Sequence, residues 1–219
     1  MEQADQRYLR SLIEEGEHQE LDFKFEISDA RKIAKTLSAF SNTVGGRLLI
    51  GVKDNGRIAG VRSDEEYYMA ESAATLYCKP EVQFKPRNYM IEGKSVLEIY
   101  IPAVKNKPVY ARDYDKRWMA YVRVADQNAL AGIVQLQIWK EADRERGRLL
   151  EFTRSEEMLL RYLEEKEGVS LSKIQRDMGY QRKELVTLMT KLVLFKVVEM
   201  HYIGVTSSFR LSETPGKGS

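Results

Sequence analysis

The sequence predicts an α+β protein, a mixed sheet with packed helices followed by a small winged helix domain. Three observations point there. Leu21, Phe23 and Phe25 alternate with charged residues as in a strand, whereas Ile33, Leu37 and Phe40 recur at helical spacing soon after. From Ser155 onward, three helical segments precede two strands around Gly204 to Ser207, the order of a winged helix-turn-helix. The chain's 219 residues suffice for one domain of about 140 residues and a smaller one.

Taken in order, Leu9, Leu12 and Ile13 predict a first helix over Asp5 to Glu15, closed by Gly16. ELDFKFE, Glu20 to Glu26, follows as a strand with its apolar residues inward and Glu20, Asp22, Lys24 and Glu26 outward. Ser28 or Asp29 caps a helix over Ala30 to Asn42, and Gly45-Gly46 turns the chain into the apolar run RLLIGV. DNG at Asp54 to Gly56 predicts a tight turn and a short return strand. A helix over Asp64 to Cys78, two strands about EGK, and a second strand pair in KPVYARDYDKRWMAYVRV come next. Leu130 to Leu150 reads as a charged helix. SEEMLLRYLEEKEG, LSKIQRDMG and RKELVTLMTKLVLFK are the three helices of the C-terminal module.

Composition narrows the function classes. The formal charge of +2, from 35 basic and 33 acidic residues, supplies no global attraction to nucleic acid or anionic membrane, so such binding needs local patches. One cysteine, Cys78, excludes an internal disulfide, and with only His18 and His201 it builds no zinc cluster. The N-terminal segment is amphipathic and acidic, and no apolar run reaches membrane-spanning length. The expected setting is the cytoplasm, with no membrane partner. Gly93-Lys94-Ser95 is no phosphate loop, because Asn88 stands where that loop needs glycine.

Several constellations could carry chemistry. Glu17, Asp22 and Asp54 could seat a hard divalent cation, with Lys24 beside them to neutralise charge on a phosphate; the same row also fits a solvated strand face. Asp54 has a local role open to it as well, bonding its own turn. SNTVGG, Ser41 to Gly46, fits either a helix cap or a close approach to ligand. Basic and aromatic residues interleave from Lys107 to Arg123, a pattern used for stacking and binding nucleic acid, though half of them must point inward. In the last helix Leu185, Leu188 and Leu192 face the core, which leaves Arg182, Lys183, Thr187 and Lys191 outward.

EHQELDFKFE followed by KTLSAFSNTVGGRLLIGVKDNGRIAGV resembles the Schlafen-type divergent AlbA domain family, and KPVYAR with AYVRVADQNALA is similar to its closing strands. The resemblance covers roughly residues 10–135. It implies an α+β nucleic-acid-binding domain and, by analogy with members that cleave RNA through three carboxylates, places those acids at Glu17, Asp22 and Asp54, with Lys24 on the family's lysine. The family's second acid is usually Glu; Asp22 is shorter by one methylene, and Lys53 stands where the family often has an acid.

The expected organisation is a Schlafen-like domain over 1–135, a helical linker over 136–153, a winged helix over 154–212 and a disordered tail over 213–219. The expected function is binding of DNA or RNA as a transcriptional regulator, needing no cofactor, with Arg47, Lys53, Arg112, Arg117, Arg123, Arg182, Lys183 and Lys191 as contacts. A homodimer would supply a second lobe. The alternatives are a metal-dependent endoribonuclease using Mg²⁺ or Mn²⁺, acting on structured RNA such as tRNA, and a protein-interaction scaffold.

Overall fold

A computed structural model of the chain describes residues 2–61, 63–141, 153–166 and 168–213, and the chain divides into two units, Met1–Leu130 and Ala131–Ser219. The first begins with α1 (Glu2–Glu15), which Gly16 ends at a φ of 71°. Then come β1 (Leu21–Lys24), α2 (Ala30–Asn42), β2 (Gly45–Ile50) and α3 (Glu65–Leu76). β3 (Cys78–Lys79), β4 (Lys85–Ile91), β5 (Lys94–Pro102), β6 (Tyr110–Arg112), β7 (Trp118–Val124) and β8 (Gln127–Leu130) complete the unit. β8 lies within the AYVRVADQNALA segment that the family resemblance placed among the closing strands, although the residue pattern alone suggested only the approach to a charged helix there.

Two sheets enclose α2. One has the order β1-β2-β5-β4, with β1 parallel to β2 and the other pairs antiparallel; the second is antiparallel, in the order β3-β6-β7-β8. Ten of the thirteen residues of α2 are buried, far more than the single stripe of a surface helix. Ile33, Leu37 and Phe40 form one core with Leu48, Ile50, Leu97 and Ile99, while Leu9 and Leu12 of α1 form another with Leu21, Phe23, Leu49 and Tyr89. Asp29 caps α2, its Oδ1 accepting the Arg31 N–H at 2.8 Å.

The SNTVGG segment serves packing. Asn42 is buried against the second sheet: its Nδ2 donates to Val109 O at 2.8 Å and Tyr121 O at 2.9 Å, and its Oδ1 accepts the Val109 N–H at 2.7 Å. A side chain at Gly46 would meet the Phe40 ring at 2.5 Å, and Gly45 combines a φ of 88° with the Ile101 carbonyl 2.8 Å from any added Cβ. Of the two readings open in the sequence, a turn under close packing accounts for both glycines. Cys78 is buried too, and burial pushes its thiol up to about 12.

The second unit contains α4 (Ile133–Glu141), α5 (Arg154–Glu164), β9 (Val169–Ser170), α6 (Leu171–Met178), α7 (Arg182–Leu194), β10 (Val198–Ile203) and β11 (Thr206–Leu211). Its antiparallel sheet runs β10-β11-β9, β9 being too short to read from sequence. α5 is capped by Thr153, whose N–H donates to Glu156 in a capping box. α6 ends at Gly179 in the left-handed region, as its place in the sequence suggests. Val134 of α4, expected at the end of the first domain, lies instead in the same core as Leu159, Ile174, Leu185 and Phe209, and Ile138 of the expected linker packs against that core. The rest of that linker up to residue 152, and residues 214–219 of the expected tail, fall outside the described residues. Among the described residues no helix is long and apolar enough to cross a membrane.

Asn42→Ala would strip partners from the buried Val109 N–H and Tyr121 carbonyl, at about 1–3 kcal/mol each. Urea denaturation is expected to show a loss of about 3 kcal/mol; a loss under about 1 kcal/mol would mean that water replaces the amide.

Candidate functional site

After Gly16 the chain doubles back, His18 bridging to Leu21, and this turn lays Glu17 beside β1. Glu17 Oε1 accepts the Phe23 N–H at 2.8 Å. Asp22 points away from the α1 core yet is only 4% exposed; of the row expected to face water, Glu20 and Glu26 are exposed, Lys24 is half-buried and Asp22 alone is covered. Its Oδ2 lies 3.0 Å from Lys24 Nζ and its Oδ1 lies 3.2 Å from Arg123. Lys24 Nζ also lies 3.9 Å from Glu17 Oε1 and donates to Phe23 O at 2.6 Å. Burial raises the Glu17 carboxyl above its usual range, and the hydrogen-bonded neighbour Asp22 raises it further. The strand's alternation fails at its end: Phe25, expected inside, is 40% exposed with Lys53 over its ring at 5.2 Å.

Asp54 does not join this cluster. It sits exposed in the turn after β2, where Lys53 and Arg57 pair through the backbone and Asn55, rather than Asp54, accepts the Arg57 N–H. Among the described residues no group of three His, Cys, Asp or Glu side chains could hold a metal ion. The expected metal set of Glu17, Asp22 and Asp54 is therefore not gathered in this geometry. Both Asp22 oxygens already face cations, which makes the cluster a closed ion network.

The predicted basic contacts divide. Arg123 is corrected outright: its side chain is 1% exposed, over the Phe40 ring at 5.1 Å, donating to Asp22, to the carbonyls of His18 and Leu21, and to Asn128 Oδ1 at 3.1 Å. No phosphate can reach it there. Lys191 is half-buried and bound to Glu156, a buried carboxylate. Burial alone would raise Glu156, but Lys191 and the Thr153 donors hold it below the usual range. Arg47 bonds buried Glu98 at 3.0 Å, which also accepts the Tyr8 and Tyr89 hydroxyls. Arg117 pairs with Asp113 and Asp115, both at 2.8 Å. Arg112 lies over Trp118 at 5.8 Å, and Lys53, Arg182 and Lys183 are exposed.

A family model described as Schlafen, AlbA_2 matches residues 17–132, from Glu17 through the last strand of the first unit. The chain belongs to the Schlafen AlbA_2 family. No curated protein matches it. Among solved structures, this Schlafen AlbA_2 chain is similar to the DIP2311 protein from Corynebacterium diphtheriae, at 21% identity and a TM-score of 0.43, covering 67% of this chain and 30% of that one. It is also similar to the N-terminal domain of a protein from Nitrosomonas europaea described as related to the ATP-dependent DNA helicase RecG, at 21% identity and a TM-score of 0.43, covering 68% of this chain and 96% of that one. Membership of the family suggests a nucleic-acid-related function.

Gln19 escaped the sequence reading. Its amide donates to Arg123 O at 2.6 Å and accepts the Ala125 N–H at 2.9 Å, locking the Glu17 turn onto β7; nothing in its neighbourhood signals a partner so distant in sequence.

Arg123→Gln would leave Asp22 buried without its guanidinium partner, and the expected loss of stability is about 3–5 kcal/mol by urea denaturation. Arg123→Met with Asp22→Leu is expected to be more stable than Arg123→Gln, because the double change removes the stranded charge.

Proposed function

We propose that this protein binds nucleic acid and acts as a transcriptional regulator, with the second unit serving as a winged helix. One observation carries the reading. α7 follows α6 after a glycine-capped turn and presents Arg182, Lys183 and Thr187 to solvent, while β10 and β11 form the adjoining hairpin. A helix so placed fits the major groove, where arginine and lysine meet phosphates and guanine edges. Family membership supports the same class of ligand. Arg182 Nη1 donates to Gln175 at 3.3 Å, which ties the start of α7 to α6 and limits the rotamers the guanidinium must give up on binding. A second copy of the chain would double the contacts on a palindromic site.

Fluorescence anisotropy with a labelled random duplex is expected to show affinity falling steeply between about 50 and 200 mM salt. Arg182→Ala combined with Lys183→Ala should reduce the slope of log affinity against log salt by about 2. Affinity independent of salt would end this reading.

The endoribonuclease reading keeps one observation in its favour, the close approach of Glu17, Asp22 and Lys24. The donor set does not fit a divalent cation in this geometry, since Lys24 and Arg123 occupy both Asp22 oxygens, and no step through a metal follows from it. Incubation of tRNA with the full chain and Mn²⁺ is expected to leave the RNA intact. Cleavage that disappears in Asp22→Asn would put the nuclease ahead.

A further inference from the structure

The first unit carries a surface that the winged helix reading does not use. Arg31, in the first turn of α2, has its guanidinium carbon 4.9 Å from the centre of the Tyr77 ring and 5.4 Å from that of Tyr114. One turn further along α2, Lys35 Nζ lies 5.8 Å from the Tyr121 ring. Two cations at the start of one helix thus meet rings carried by three other segments of the chain. Among the described residues no carboxylate is paired with the side chain of Arg31 or Lys35, although the Arg31 backbone N–H donates to Asp29. The neighbouring Asp113 and Asp115 are answered by Arg117.

Tyr114 is the open ring of the set. It is 56% exposed in the turn between β6 and β7, yet it is held: its hydroxyl donates to Asp29 Oδ2, the same carboxylate that caps α2 through Oδ1. With Arg31 against the ring and the hydroxyl anchored, an aromatic surface is fixed in water before any ligand arrives. An unanchored surface tyrosine would lose rotamer freedom on binding; this one has already lost it.

The chemistry selects the ligand. A cationic ligand would be repelled by Arg31 and Lys35, and an aliphatic peptide would need an apolar groove in place of rings and charges. A chain of flat rings joined by anions matches both parts, and bases in a duplex have their faces covered by stacking. We propose that Arg31, Lys35, Tyr114 and Tyr121 form a stacking platform for unpaired nucleotides of single-stranded nucleic acid. A base lies on the exposed Tyr114 ring, with Tyr121, half-buried against the α2 core, at the platform's edge, and the phosphates face Arg31 and Lys35. The platform does not rest on the duplex reading of the second unit. Trp118 stands apart from it: it is the cross-strand neighbour of Arg112, on the face of β7 opposite to Tyr121.

The test uses the full chain and labelled unstructured oligonucleotides of about 12 nucleotides, as RNA and as DNA, beside a duplex of the same sequence. Tyr114→Ala is expected to weaken single-strand binding about ten-fold and duplex binding less than about two-fold. Tyr114→Phe keeps the ring but loses the Asp29 anchor, and its single-strand affinity should fall between those of the parent and Tyr114→Ala. Trp118→Ala should stay within about two-fold of the parent, whereas Arg31→Gln and Lys35→Gln should each lower the salt slope for the single strand by about 0.7. Loss of single-strand binding through the same residues with either strand chemistry supports the platform, and the tighter of the two names the natural ligand. Three results overturn it: single-strand binding unchanged in Tyr114→Ala, lost equally in Tyr114→Phe, or lost instead on changing Arg182 and Lys183. Failure of the duplex experiment leaves these outcomes readable, because they concern different residues and a different ligand.

Discussion

A single buried guanidinium organises the first unit. Arg123 reaches from β7 to β1, where it meets the Asp22 carboxylate and the carbonyls of His18 and Leu21, with Asn128 of β8 completing its donors. Arginine suits this place because its planar fork supplies five donors at fixed angles and keeps its charge when desolvated. The attraction to Asp22 does not by itself make such a pair favourable, since each ion leaves water on burial. What it imposes is geometry: β1, the turn that carries Glu17 and the end of β7 must be arranged together for every donor to find an acceptor. The acidic residues that look like a site therefore double as the joint between two sheets.

The helix between those sheets explains the chain's most distinctive segment. α2 is buried on nearly all sides, so its polar residues need partners from the surrounding strands. Ser38 and Asn42 bond the backbone at Val109 and Tyr121, in effect extending the hydrogen-bonding of the second sheet onto the helix. Gly45 and Gly46 then let β2 leave within van der Waals reach of Ile101 and Phe40. A motif of polar residues and glycines suggests ligand binding, but here packing and backbone bonding account for Asn42, Thr43, Gly45 and Gly46.

The cations tell a similar story at larger scale. With formal charge near zero, binding to a polyanion depends on which basic residues remain unpaired after folding. Arg123 and Lys191 are consumed by buried carboxylates and Arg47 by Glu98, whereas Arg31 and Lys35 are left beside aromatic rings. The division follows burial and partner distance. It leaves free the Arg182 and Lys183 face proposed for a duplex and the Arg31 and Lys35 surface proposed for unpaired bases.

Local patterns were legible wherever the period and the caps agreed. The helix over Ala30–Asn42, the strands either side of EGK and the order of elements in the second unit follow from apolar spacing, glycine and turn chemistry, all of which act over a few residues. Short partners such as β8 and β9 were not legible in the apolar pattern, because two to four residues carry no period of their own and become strands only through pairing. The family resemblance located Glu17, Asp22 and Lys24 together, and the structure does bring those three into contact while leaving Asp54 in its turn. The fate of ELDFKFE was decided by tertiary structure alone. Alternation says which side chains share a face, but that Asp22 is covered while Glu20 and Glu26 meet water depends on Arg123, 101 residues from Asp22, and desolvation by so distant a partner leaves no mark on local sequence.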